Sequence, residues 1–164
     1  MKKHIISVLV ENKSGVLSRI AALFAARGFN IDSLAVGETE DPKISRMTIV
    51  SQGEENVLEQ VVKQLRRLID VISVSDYTKK GLAYVDRELV LVKVDAPASK
   101  RSEIVEIVDI FRAKIVDVSL HTLAIEITGT GDKIQAFLDL MRDFKIKEVV
   151  RTGKIAIVRE NQKK

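Results

Sequence analysis

The chain contains no cysteine and no tryptophan, and only two histidines and two prolines. Its aromatic residues are five phenylalanines and two tyrosines. Without cysteine, disulfides and thiolate chemistry are both excluded, a composition expected of a cytoplasmic protein. No apolar run approaches about 18 residues, which excludes a membrane-spanning helix. The stretch MKKHIISVLVENKSG is basic and then apolar, as a signal peptide is. Its apolar part is short and no small-residue cleavage site follows, so Ile5 to Val10 is read as a buried strand. An excess of one charge is also lacking, with 27 Lys and Arg against 23 Asp and Glu and a net charge of +4. That balance describes a mixed, solvated surface rather than a polycation.

Catalytic and metal-binding constellations are missing as well. His4 and His121 each open an apolar strand, and no cysteine or close carboxylate accompanies either in the sequence. A metal centre needs more ligands at usable spacing, and a catalytic histidine needs a nucleophile or an orienting acid. Neither metal ligands nor catalytic residues are therefore expected. GTGDKI at 129–134 lacks the glycine spacing of a Walker or dinucleotide loop. Gly129, Gly131 and Asp132 read instead as a turn and an N-cap.

What the chain does have is an internal repeat. Apolar strands are expected at 4–10, 30–38, 44–51 and 70–78, with helices at 15–27 and 54–68. The same order returns as strands at 87–95, 113–119, 121–128 and 146–152, with helices at 99–111 and 131–142 and a last strand at 154–158. The helices carry apolar faces at helical spacing: Val16, Leu17, Ile20, Leu23 and Phe24 in the first, and Ile134, Phe137, Leu138 and Met141 in the fourth. Each half is β-α-β-β-α-β, so the expected class is α+β with two tandem ferredoxin-like domains. The first spans residues 1–78, a linker 79–86, the second 87–160, and a disordered tail 161–164. The strand KISRMTIV is apolar on both faces, so each face is expected to be covered. RNA-recognition domains share this element order, but they stack bases on aromatic residues of the central strands. KISRMTIVSQ and HTLAIEITG have none, so no nucleic-acid partner is expected.

The most informative stretch is ENKSGVLSRIAALFAARGFNID at 11–32. A strand runs into a polar turn, with Gly15 at the mouth of an amphipathic helix. The opening N–H groups of a helix lack intrahelical acceptors and, with the positive helix end, suit a carboxylate. The same residues also suit plainer roles. Asn12 and Ser14 can form a turn and cap the helix, Gly15 can serve backbone geometry, and Asn30 can start a strand.

This strand, NxxG turn and helix resemble the amino-acid-binding ACT domain. SVLVENKSGVLSRIAALFAARGFNIDSLAVG and DPKISRMTIV are similar to the regulatory small subunit of acetolactate synthase, also called acetohydroxyacid synthase. DIFRAKIVDVS, EITGTGDKIQAFLDLMRDF and EVVRTGKIAIVR resemble the C-terminal domain of that subunit, so the likeness runs along essentially the whole chain.

The resemblance implies a non-catalytic partner of a large catalytic subunit that carries thiamine diphosphate, magnesium and usually FAD, none of them held by this chain. It implies activation of that subunit and feedback inhibition by valine or a related branched-chain amino acid. It also implies a homodimer through the ACT domains, with the effector between two chains. Carried over residue by residue, Asn12, Gly15, Val16 and Leu17 of one chain would face Asn30 and Ile31 of the other. The pocket would have apolar walls and no fixed counter-charge. Arg46 and Met47, in the distinctive SRMTIV strand, suit a surface or interface as well as an ordinary strand. Two other classes share parts of the pattern. A free-standing ACT sensor would need an output element such as a helix-turn-helix, and none is visible. A small enzyme of acylphosphatase-like fold would need a phosphate-loop arginine, which is also lacking.

Overall fold

The computed structural model describes residues 2–79 and 81–160. Residues 161–164, expected as a tail, lie outside the described residues. The elements in chain order are β1 (Lys2–Glu11), α1 (Val16–Ala26), β2 (Ile31–Glu38), β3 (Ile44–Gly53), α2 (Glu55–Leu65) and β4 (Val71–Asp76). They continue as β5 (Tyr84–Asp95), α3 (Arg101–Ile110), β6 (Lys114–Val118), β7 (Thr122–Gly129), α4 (Gly131–Met141), β8 (Ile146–Arg151) and β9 (Ile155–Val158). One antiparallel sheet has the order β2-β3-β1-β4. The other has the order β6-β7-β5-β8, with β9 pairing to β5. The chain is thus α+β, with the β-α-β-β-α-β order in each half.

Two compact units result. One comprises the chain up to Val85 together with the segment from Lys154 onward, and the other is Asp86–Gly153. β5 begins at Tyr84, inside the stretch read from sequence as linker.

In the first unit, alternation on β1 sends Ile6, Val8 and Val10 toward the helices. There they meet Val16, Ile20 and Phe24 of α1, spaced one turn apart, and Val61, Val62 and Leu65 of α2. The opposite face carries Ile5 and Val50, which pack with Tyr77, Leu82, Tyr84 and Ala156. This is the second cover that the two-faced KISRMTIV strand requires. α1 ends in a Schellman motif. Gly28 adopts φ 69°, its N–H reaches Ala25 O, and the Phe29 N–H reaches Phe24 O. α2 stops at Leu65, short of the expected residue 68. The N–H groups of Arg67 and Leu68 reach back only three residues, to Gln64 and Leu65, tightening the exit into a turn.

The second unit repeats the plan. Val90, Val92 and Val94 of β5 with Leu123, Ile125 and Ile127 of β7 form its floor, covered by Ile104 and Val108 of α3 and by Ile134, Phe137 and Met141 of α4. α3 closes with the same motif as α1, the Ala113 N–H reaching Val108 O, but with Arg112 at φ 54° where the first unit uses Gly28. At α4 the N-cap is Thr130 rather than Asp132. Asp132 lies in the first turn, where its charge complements the helix dipole.

Candidate functional site

Gly15 stands at the N-cap of α1 with φ 81°, a conformation that costs L side chains but not glycine. No side chain caps the helix, so its first N–H groups face outward without an acceptor from the helix or a cap. Asn12 lies just before this mouth, and its amide does not cap. It donates to Glu38 Oε1 at 3.1 Å and to Pro42 O at 2.9 Å, while the Asn12 backbone N–H meets Lys43 O at 2.7 Å. The β1–α1 turn is thereby braced against the β2–β3 loop.

Val16 is 3% exposed, so its side chain belongs to the core and only its N–H serves the mouth. Leu17, at 44% exposure, turns away from that core and leaves an apolar surface beside the turn.

Arg19 adds a charge that the sequence reading lacks. A Cβ on Gly15 would lie 3.1 Å from Arg19 Nη1, while Arg19 Nη2 donates to Asp70 Oδ2 at 2.5 Å. The expectation of no fixed counter-charge is therefore corrected: a half-exposed guanidinium stands beside Gly15. Helical spacing is the signal that could have found it, since position 19 lies one turn after Gly15 on the same face. Glu38 and Asp70 carry no comparable local signal. Nearby, Glu11 approaches Lys13 Nζ at 2.5 Å, and that hydrogen bond raises the Lys13 ammonium above its ordinary value.

Asn30 and Ile31 lie elsewhere. Asn30 follows the far end of α1, donates to Asp32 Oδ1 at 2.9 Å, and accepts at its backbone carbonyl from Ser51 Oγ at 2.8 Å. Ile31 is half-buried against the first core. β2 runs from Ile31 to Glu38, and Glu38 is the residue that touches Asn12. Eight extended residues cover roughly 26 Å. Within one chain, Asn12 to Leu17 and Asn30 with Ile31 therefore occupy opposite ends of β2 and do not converge.

The residues from 6 to 73 match the model of the AHAS small subunit-like ACT domain, and residues 87–160 match that of the small subunit of acetolactate synthase. The probable acetolactate synthase small subunit of Archaeoglobus fulgidus is 58% identical over 161 residues, covering 98% of this chain and 99% of that protein. The chain belongs to the acetolactate synthase small-subunit family. The probable small subunit of Methanothermobacter thermautotrophicus is 56% identical, over 95% of this chain and 92% of its own. The crystal structure of the Thermotoga maritima small subunit superposes with a TM-score of 0.87 at 42% identity, over 98% of this chain and 99% of its own. The first half of this family member is accordingly an ACT domain.

Other residues singled out in the sequence resolve differently. Met47 is 2% exposed and part of the core, so the interface reading is corrected for it. Arg46 is exposed and donates to Ser7 Oγ across β1 at 2.8 Å. His4 does have a carboxylate, supplied from 72 residues away. Its Nδ1 lies 2.7 Å from Asp76 Oδ2, with His4 only 1% exposed. Nε2 is buried without a partner among the described residues. No group of three metal-ligating side chains occurs among the described residues, and no helix among them is long and apolar enough to cross a membrane.

Proposed function

We propose that this chain is the non-catalytic regulatory subunit of acetolactate synthase. It associates with the large catalytic subunit, raises its activity, and confers feedback inhibition by valine or a related branched-chain amino acid. Thiamine diphosphate, magnesium and FAD belong in this reading to the large subunit. The effector binds between two ACT domains, with Asn12, Gly15, Val16 and Leu17 from one chain and Asn30 and Ile31 from a second copy.

The observation that carries the two-chain site is the position of β2 at the edge of its sheet, with Asn12 tied to Glu38 at its far end. An edge strand offers unpaired N–H and C=O groups to another strand. Antiparallel pairing of β2 with the β2 of a second copy lays the start of one strand beside the end of the other. Asn30 of the second copy then arrives next to Glu38 and Asn12, closing the roughly 26 Å separation that one chain leaves. The helix mouth and Arg19 suit the carboxylate of the amino acid, Asn30 suits its ammonium, and Leu17 with Ile31 suits an apolar side chain. Such apolar walls separate valine, leucine and isoleucine by only about 1–3 kcal/mol.

The test is acetolactate formation by the large subunit, with and without this chain, over a valine titration. Activation by the chain and inhibition by valine support the reading. No change on adding the chain refutes it.

A further inference from the structure

Two cations stand at the mouth of α1. Lys13 is engaged by Glu11. Arg19 is held differently. Its Nη2 donates to Asp70, whose backbone carbonyl accepts the Glu11 N–H at 2.8 Å, so the anchoring carboxylate is itself fixed to the end of β1. Asp70 is buried while Arg19 remains half-exposed. One edge of the guanidinium is thus occupied. Nη1, the nitrogen facing Gly15, makes no hydrogen bond among the described residues. A planar guanidinium with one edge pinned and another free is a pre-aimed receptor for a second carboxylate.

We infer that Arg19, aimed by Asp70, reads the α-carboxylate of the amino acid at this site and makes the pocket selective for a free carboxylate over its amide. The inference rests on the effector-site reading above. A carboxylate beside Gly15 accepts from the helix N–H groups and from Arg19 Nη1 together. A carboxamide turned the same way presents N–H to N–H, leaving donors unpaired, which is the condition under which polar sites discriminate strongly.

The experiment is calorimetric titration of the full chain with L-valine and with L-valinamide, for the wild type and for Arg19→Gln, Arg19→Lys and Asp70→Asn. The wild type is expected to bind valine about 10–100-fold more tightly than valinamide, the range of a hydrogen bond to a charged group. Arg19→Gln lowers valine affinity by a similar factor and leaves valinamide unchanged, collapsing the ratio. Arg19→Lys keeps part of the ratio through its charge, and Asp70→Asn reduces it by loosening the guanidinium. Equal losses for both ligands in Arg19→Gln, or an unchanged ratio, overturn the inference, because a merely structural arginine moves both ligands alike. If the wild type binds neither ligand, the effector-site reading itself fails and the role of Arg19 fails with it. Urea unfolding of each variant identifies any that does not fold, and Arg19→Lys then carries the comparison.

Discussion

A Cβ at position 15 meets two obstacles, the φ of 81° and Arg19 Nη1 at 3.1 Å. The arginine is the movable end of a long side chain, so backbone strain dominates the cost of Gly15→Ala, expected at roughly 1–2 kcal/mol in urea unfolding. Gly15→Asp adds a carboxylate beside the guanidinium, an internal stand-in for the ligand. Valine inhibition of the reconstituted enzyme is expected to be lost, and full inhibition would remove Gly15 from the site. Gly53 presents the opposite case. Its backbone is unstrained, but a Cβ would fall 1.9 Å from Phe29 Cε1. Gly53→Ala must displace Phe29 and with it the neighbouring Asn30, at an expected cost of about 1–3 kcal/mol together with weakened valine binding. Gly15 at the mouth of α1 was legible in the sequence, because its φ of 81° and its place before the helix are local features. The side-chain partners of three residues were not legible. Asn12 reaches Glu38 across 26 residues, Arg19 reaches Asp70 across 51, and His4 reaches Asp76 across 72. Nothing local reports such a pairing until the strands are in register.

At the scale of elements, the α-helices and strands of the described residues stand where the sequence pattern put them, a short 3-10 turn at Arg142–Phe144 was not foreseen, and the other differences fall at element ends. α2 frays into a three-residue turn, β5 starts early at Tyr84, and Thr130 takes the cap assigned to Asp132. Strand ends depend on pairing partners, which an apolar pattern does not encode. One tie between elements has a measurable consequence. The His4–Asp76 pair joins the start of β1 to the end of β4, and Asp76 also receives the Lys79 N–H at 3.0 Å. His4→Ala leaves a buried carboxylate with a single donor among the described residues and is expected to destabilise the chain by roughly 3 kcal/mol in urea unfolding. α2 offers a contrast at the surface. Glu59 receives Lys79 at 2.6 Å and Lys63 at 3.4 Å, and the Lys79 hydrogen bond foremost holds its carboxyl below the ordinary 4.5. A lowered folded-state value stabilises the fold above 4.5, and that contribution fades as pH falls through the lower value. Glu59→Gln should therefore lower the urea midpoint slightly near neutrality and remove the small acid-side slope below about pH 4.5. Exposure of all three side chains keeps the effect small.

At the scale of the whole molecule, the decisive geometry is that one ACT domain holds Asn12 and Asn30 at opposite ends of β2. In the proposed two-chain site, the closing of that gap by a second copy makes binding and association a single linked equilibrium. β2 is prepared for this, since Val36 is 47% exposed on the free edge of the sheet. A charge there opposes strand pairing without entering the pocket. Val36→Glu is expected to weaken the dimer in sedimentation experiments and to shift valine inhibition to higher valine, while the urea midpoint of the chain stays near that of the wild type. In the wild type, valine should tighten the dimer. At about 100 times its Kd, an effector bound only to the associated form contributes about 2.7 kcal/mol per site, roughly a hundredfold in association. The same linkage requires valine affinity to rise with chain concentration. A dimer whose association is indifferent to valine, or a valine affinity independent of chain concentration, would place the whole site within one chain, which the distance along β2 forbids for Asn12 and Asn30 together. One of the two asparagines would then have to leave the site, and the Asn30 variants would be the ones to show it, by keeping valine affinity unchanged.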